Sequence, residues 1–117
     1  MSVVVCAEAE LSPGAGRLAR LRGKEVLVVR GADGVVRAVA NRCPHQGARL
    51  SDGPISGEFL YDDEVGVTLS RIGQVVRCPW HNYAFDLETG CSLLEPDRFR
   101  IATYPVAIVD GNVVLDP

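Results

Sequence analysis

Both histidines of this 117-residue chain stand beside a cysteine. The first pair is Cys43-Pro-His45, within NRCPHQGARLSDG at 41–53. The second is Cys78-Pro-Trp-His81, within RCPWHNYAFDLETG at 77–90. Each pair offers one sulfur and one nitrogen, and each cysteine is followed by a proline. Donors of these two kinds hold zinc or an iron–sulfur unit. Structural zinc sites usually pair like with like, as C-x₂₋₄-C and H-x₃₋₅-H. Mixed, closely spaced pairs suit a dinuclear iron unit better, because two loops with one Cys and one His each can reach both of its ends. Zinc nonetheless stays open on spacing alone.

Loops that aim side chains at one centre need rigid strands behind them, and the rest of the chain reads as strands. EVLVVR (25–30) and VVRAVAN (35–41) are β-branched runs flanking GADG, which predicts a hairpin with a Gly-containing loop. AIVDGNVVL (107–115) carries Asp110-Gly111 between apolar runs, a strong two-residue hairpin signal. SVVVCA reads as a first strand, and QVVRCP and YAFDLETG as later ones, the last ending in a Thr-Gly turn. GRLARLRG (16–23) has Leu18 and Leu21 at a helical spacing, but it is short and Gly-flanked, so a strand or irregular turn is expected. PGAG (13–16) contains G-x-G without a following helix and is read as a turn. No stretch carries sustained helical periodicity with caps. Many short strands with Gly/Pro turns predict an all-β sandwich or small barrel.

The length fits a single domain, 1–117. A net charge of −3 without a Lys/Arg block argues against nucleic acid as a partner. The N-terminus lacks a basic start and long apolar core, and no apolar run approaches the ~20 residues that span a bilayer, so no membrane association is expected and a cytoplasmic location is the default. In that compartment four cysteines suggest ligands or small buried residues before disulfides. Cys6 and Cys91, outside both pairs, are expected to be structural.

CPHQGARLSDG and CPWHNYAFDLETG resemble the two cluster-binding loops of the Rieske-type [2Fe–2S] ferredoxin family. The shared pattern is C-x-H, then C-x₂-H, with a small-residue run after the first histidine and F-D-x-x-T-G after the second. VVRAVANRCPH resembles the strand entering the first loop, and TYPVAIVDGNVVLD the closing hairpin, so the likeness covers nearly the whole chain. It implies a Rieske fold, an antiparallel β-sandwich with a small cluster-binding subdomain (about 41–95) formed by two loops. It implies a [2Fe–2S] cluster held by Cys43, His45, Cys78 and His81, two thiolates on one iron and two imidazoles on the other.

Relative to that pattern, the segment between His45 and Cys78 is longer by about a hairpin, at approximately 56–74. EFLY and VGVTLS there are expected to form two added strands, with Asp62, Asp63 and Glu64 at an exposed turn. Solvation explains that acidic triplet better than partner docking. High-potential family members add a disulfide and two hydroxyl donors near the cluster; the matching positions here hold Ala48 and Trp80, and Tyr83 and Phe85. The expected potential therefore lies toward the low end of roughly −150 to +300 mV. Backbone N–H groups of Gln46, Gly47, Asn82 and Tyr83 are expected donors to sulfur, with Trp80 as an apolar wall and Pro96 as a cover from a third loop. Arg42, Arg49 and Arg77 read first as strand-edge solubility and second as a basic rim for an acidic partner.

The resemblance implies a small electron-transfer protein, not an enzyme, that takes single electrons from a flavin-dependent reductase and passes them to a terminal oxygenase or similar redox enzyme. The alternatives are a Rieske subunit of a larger reductase complex and a zinc-stabilised interaction module. An oxygenase needs two further histidines and a carboxylate for mononuclear iron, and both histidines of this chain are already assigned.

Overall fold

A computed structural model describes residues 2–44, 47–79, 83–94 and 96–117, without the side chains at 58–60, 62, 68–70 and 72. In chain order the strands are β1 (Val3–Ala7), β2 (Gly16–Leu21), β3 (Lys24–Arg30), β4 (Val36–Ala40), β5 (Ile55–Asp62), β6 (Gly66–Arg77), β7 (Ala84–Asp86), β8 (Thr103–Tyr104), β9 (Val106–Val109) and β10 (Asn112–Leu115). They form three antiparallel sheets, ordered β1-β10-β9, β2-β3-β4-β8 and β5-β6-β7. Among the described residues there is no α-helix, only two 3₁₀ turns at Glu8–Glu10 and Leu50–Asp52.

The uninterrupted apolar run of β3 explains how the sheets stack. Successive side chains of a strand point to opposite faces, and a strand covered on both faces needs apolar residues at every position. Val26 and Val28 enter one core with Cys6, Leu11, Leu21, Ala38, Val113 and Leu115. Leu27 and Val29 enter a second core with Val39, Val76, Phe85, Leu87 and Ile101. The sheet containing β3 is therefore the middle layer, flanked on one side by β1 and β10 and on the other by β6, β7 and the loops.

Two hairpins form as expected. In the β9–β10 turn Asp110 and Gly111 have φ of 51° and 78°, the pair of left-handed residues that a two-residue type I′ turn requires. The β3–β4 turn closes through Gly31 N–H to the Val35 carbonyl at 2.9 Å. GRLARLRG is a strand, β2, and it turns into β3 through Arg22 and Gly23, also both at positive φ (52° and 80°).

The segment at 56–74 differs from expectation in one respect. EFLY and VGVTLS are strand and pair with each other as expected, within β5 and β6, but VGVTLS is not separate from QVVR: β6 runs unbroken over twelve residues. The register shifts between Ser56 and Glu58, opposite 71–74, so a bulge separates the outer ribbon from the part that reaches β7. Asp62 ends β5, and Asp63 and Glu64 are exposed in the turn. YAFDLETG contributes a strand of only three residues, because its second half is the turn described below.

Candidate metal centre

The first loop leaves β4 and the second leaves β6. Cys43 and Cys78 are almost fully buried, at 0% and 2% exposure, and belong to the same core as Phe85, Leu50 and Ala48. No disulfide involves any of the four cysteines. The two loops share a backbone device. The Cys43 N–H donates to the Ala48 carbonyl at 2.8 Å, and the Cys78 N–H donates to the Tyr83 carbonyl, also at 2.8 Å. In each case the acceptor lies five residues on, so both cysteines head equivalent closed turns.

Three further contacts fix these turns. Buried Asn41 spans the mouth of the first loop: its Nδ2 donates to Ser51 Oγ at 2.9 Å, and the Ser51 N–H donates to its Oδ1 at 2.7 Å. Gly53 joins the loops. The Arg77 N–H donates to the Pro54 carbonyl at 3.1 Å, and a Cβ at Gly53 would overlap the Arg77 carbonyl oxygen. Phe99, from the segment after β7, meets Tyr83 edge-on with ring centroids 5.2 Å apart, and both pack on the core.

The F-D-x-x-T-G stretch is a turn in which each named residue has a task. Phe85 is completely buried beside the cysteines' core. The Glu88 N–H donates to Asp86 Oδ1 at 2.8 Å, and the Cys91 N–H to Thr89 Oγ1 at 3.2 Å. Gly90 has φ of 79° and lies against the Ile101 carbonyl, where a side chain has no room. Asp86 also accepts from Arg71 Nη2 at 2.6 Å, which ties the turn to the bulge of β6.

The Rieske [2Fe-2S] domain family matches residues 1–105. This chain belongs to the Rieske [2Fe-2S] domain family. It is 33% identical over 96 residues to the ferredoxin component of the naphthalene 1,2-dioxygenase system of Pseudomonas putida, covering 82% of this chain and 76% of that one. Its structure is similar to the ferredoxin of carbazole 1,9a-dioxygenase from Nocardioides aromaticivorans IC177, with a TM-score of 0.75, 27% identity, and coverage of 100% and 98%. It is also similar to a Mycobacterium tuberculosis protein assigned as the small subunit of an NADH-dependent nitrite reductase, with a TM-score of 0.76, 29% identity, and coverage of 98% and 93%.

A Rieske domain carries a [2Fe–2S] cluster, and the chemistry of the described residues fits one. Two thiolates in an apolar core would be costly unless a cationic centre neutralised them, which the irons of a cluster held by Cys43 and Cys78 would do. Of the four ligands expected from the sequence, Cys43 and Cys78 are brought together in one core. His45 and His81 lie outside the described residues, as do Gln46, Trp80 and Asn82. Among the described residues there is no group of three or more His, Cys, Asp or Glu that could hold a metal ion.

Cys6 is buried in the opposite core, whereas Cys91 is only half-buried. The Gly47 N–H donates to the Cys43 carbonyl at 2.8 Å, so it is engaged with the main chain and is not set aside for sulfur. Pro96 is exposed, and the residue of its segment that packs onto the second loop is Phe99. Arg49 is held by Glu25 through two hydrogen bonds of 3.0 and 3.1 Å, and this pairing holds the Glu25 carboxyl below its ordinary pKa and raises that of Arg49. Arg77 donates to the Gly57 carbonyl at 3.2 Å, while Arg42 is exposed.

Asn41, Ser51, Gly53 and Phe99 were not singled out from sequence. A polar residue ending an apolar strand directly before Cys43 was the available signal for Asn41.

Proposed function

We propose that this chain is a Rieske ferredoxin that receives single electrons from a flavin-dependent reductase and delivers them to a terminal oxygenase or similar redox enzyme. Cys43 and Cys78 hold one iron and His45 and His81 the other. The observation that carries the reading is the pair of equivalent turns headed by two buried cysteines in one core. The bound cluster supplies a one-electron couple between roughly −150 and +300 mV. The chain's own residues set where in that range it falls. Phe85, buried at the position where a hydroxyl would lower the cost of reduction, donates nothing, so the low end is expected.

The relatives' roles support the partners: a ferredoxin component of a dioxygenase system, and a ferredoxin of carbazole 1,9a-dioxygenase. The whole chain, 1–117, acts as one domain, with a cluster-binding part at about 41–95 and an extended hairpin at about 56–74. It carries electrons and catalyses no reaction of its own. Among the described residues no helix is long and apolar enough to cross a membrane; the proposed location is the cytoplasm.

A second reading, a Rieske subunit within a larger reductase, is favoured by the likeness to the nitrite reductase small subunit. Native mass in the source extract separates the two readings. The test of the cluster is iron and acid-labile sulfide content followed by EPR after anaerobic reduction. An average g value below that of all-thiolate clusters is expected. A colourless protein containing zinc would instead establish a zinc-stabilised module.

A further inference from the structure

The basic residues near the ligands are distributed unevenly, and the unevenness falls on one side. A groove of about 560 Å³ runs beside the first loop, lined among others by Arg20, Lys24, Arg42, Gly47 and Arg49. It holds four of the chain's twelve lysines and arginines but only one, Glu25, of its fifteen acidic residues, in a chain of net charge −3. The remaining surface is correspondingly more acidic.

Within the groove Glu25 is already engaged by Arg49. Arg20 donates to the Gly23 carbonyl at 3.0 Å and stands opposite the same Glu25 in the β2–β3 pair, so one carboxylate serves two arginines and the groove keeps a cationic excess. Lys24 and Arg42 are exposed. The Arg42 guanidinium lies over Gly47: a Cβ there would come within 3.2 Å of Arg42 Nε and Nη2. One cation of the groove therefore rests directly on the turn headed by Cys43. The matching arginine of the second loop, Arg77, is turned back onto Gly57.

We propose that this groove is the docking surface for an acidic redox protein, which exchanges one electron with the cluster from the first-loop side. The inference rests on the electron-carrier reading and adds the partner's surface chemistry and its side of approach. In the reducing direction the partner's donor loses one electron and one ferric iron of the cluster becomes ferrous. No bond forms or breaks and no proton is needed. Uncompensated cations on a groove raise encounter rates with an oppositely charged partner, and the gain falls steeply with salt.

Lys24 is the chain's only lysine, which makes the test direct. The probe is an acidic plant-type [2Fe–2S] ferredoxin, a donor near roughly −400 mV. Carbodiimide treatment of the mixture at low salt is expected to join a probe carboxylate to the Lys24 amine, mapped by peptide mass, with the yield collapsing at high salt and in Arg42→Glu. This readout does not depend on the cluster, so it survives failure of the electron-carrier reading, which the iron, sulfide and EPR measurements report separately.

On the cluster-bearing protein, Lys24→Glu is expected to slow reduction by the probe about tenfold at low salt. Arg17→Glu, an equal change of charge outside the groove, should leave the rate within about twofold. Reduction by a neutral deazaflavin radical should be unchanged in both variants. Coupling confined to the N-terminal amine, a Lys24 yield indifferent to salt and to Arg42→Glu, or equal slowing by Lys24→Glu and Arg17→Glu would each overturn the proposal.

Discussion

In the first ligand loop the Cys43 N–H closes on Ala48, and in the second the Cys78 N–H closes on Tyr83, with the same length and the same five-residue reach. What surrounds the two turns differs. The first is clamped by polar groups: Asn41 to Ser51 across its mouth, and Arg49 to Glu25 at its exit. The second is backed by rings, with Tyr83 against Phe99 and completely buried Phe85 two residues beyond. Hydrogen bonds are directional and hold a loop that has water on its outer face, whereas packing holds a loop that has core behind it. The difference suggests a division of work: the first loop presents the flank that meets a partner, and the second controls the environment of the sulfurs.

The most severe way to break this comparison is to separate the loops. Gly53→Ala places a methyl on the Arg77 carbonyl oxygen, and main chain cannot yield as a flexible side chain does. The expected cost is about 3 kcal/mol, which is roughly 10 °C in Tm for a domain of this size. Thermal unfolding of the cluster-bearing variant measures it. A Tm within 2–3 °C of wild type, taking ~1 kcal/mol as the threshold, would show that the contact between the loops is dispensable.

A paired experiment sharpens it. Asn41→Ala leaves the half-buried Ser51 N–H without its acceptor, at about 1–3 kcal/mol. Phe99→Ala removes a half-buried ring and its edge-on contact, at about 1–2 kcal/mol. Hydrogen exchange should report the first at the Cys43 and Gly47 amides and the second at the Cys78 amide. Equal acceleration of all three in either variant would mean that the loops respond as one unit, and the proposed division would fail.

Phe85→Tyr tests the second loop's role with a smaller change. A hydroxyl that reaches a ligand sulfur favours the reduced state, and a tenfold bias corresponds to about 60 mV upward for one electron. Midpoint titration reads the shift. An unchanged midpoint in a correctly folded variant would mean that residue 85 has no line to the sulfurs. A hydroxyl left without a partner would instead appear as a stability loss of about 1–3 kcal/mol.

The parts of the molecule that were legible in sequence are those whose reason is local. The loops of Cys43 and Cys78, Asp110-Gly111 and the apolar run of β3 each declare themselves within a few residues. Asn41 with Ser51, and Gly53 with Arg77, act across ten and twenty-four residues of chain, and neither partner is unusual where it stands. The same holds for Arg22, which takes a left-handed conformation usually reserved for Gly, Asn or Asp because strands β2 and β3 require a two-residue turn there. At 56–74 the alternating apolar residues of EFLY and VGVTLS reveal the added hairpin but not that VGVTLS continues into QVVR, because the bulge at 71–74 bends β6 without ending it.

The mildest test concerns the polar side of the first loop. Arg49 holds the Glu25 carboxylate by two hydrogen bonds, and the carboxyl pKa lies below its ordinary value in the folded state. A carboxyl with a depressed folded pKa stabilises the protein fully above its unfolded pKa, about 4.3 for glutamate, and loses that contribution as pH falls through the folded value. Glu25→Gln should therefore lower Tm by an amount that is constant from pH 7 to about 4.5 and shrinks below it. The difference should be small, because the pair is exposed, and smaller still in salt. A gap that vanishes already at pH 6 would show that some other titrating group, and not the Glu25 carboxylate, fixes the exit of the first loop.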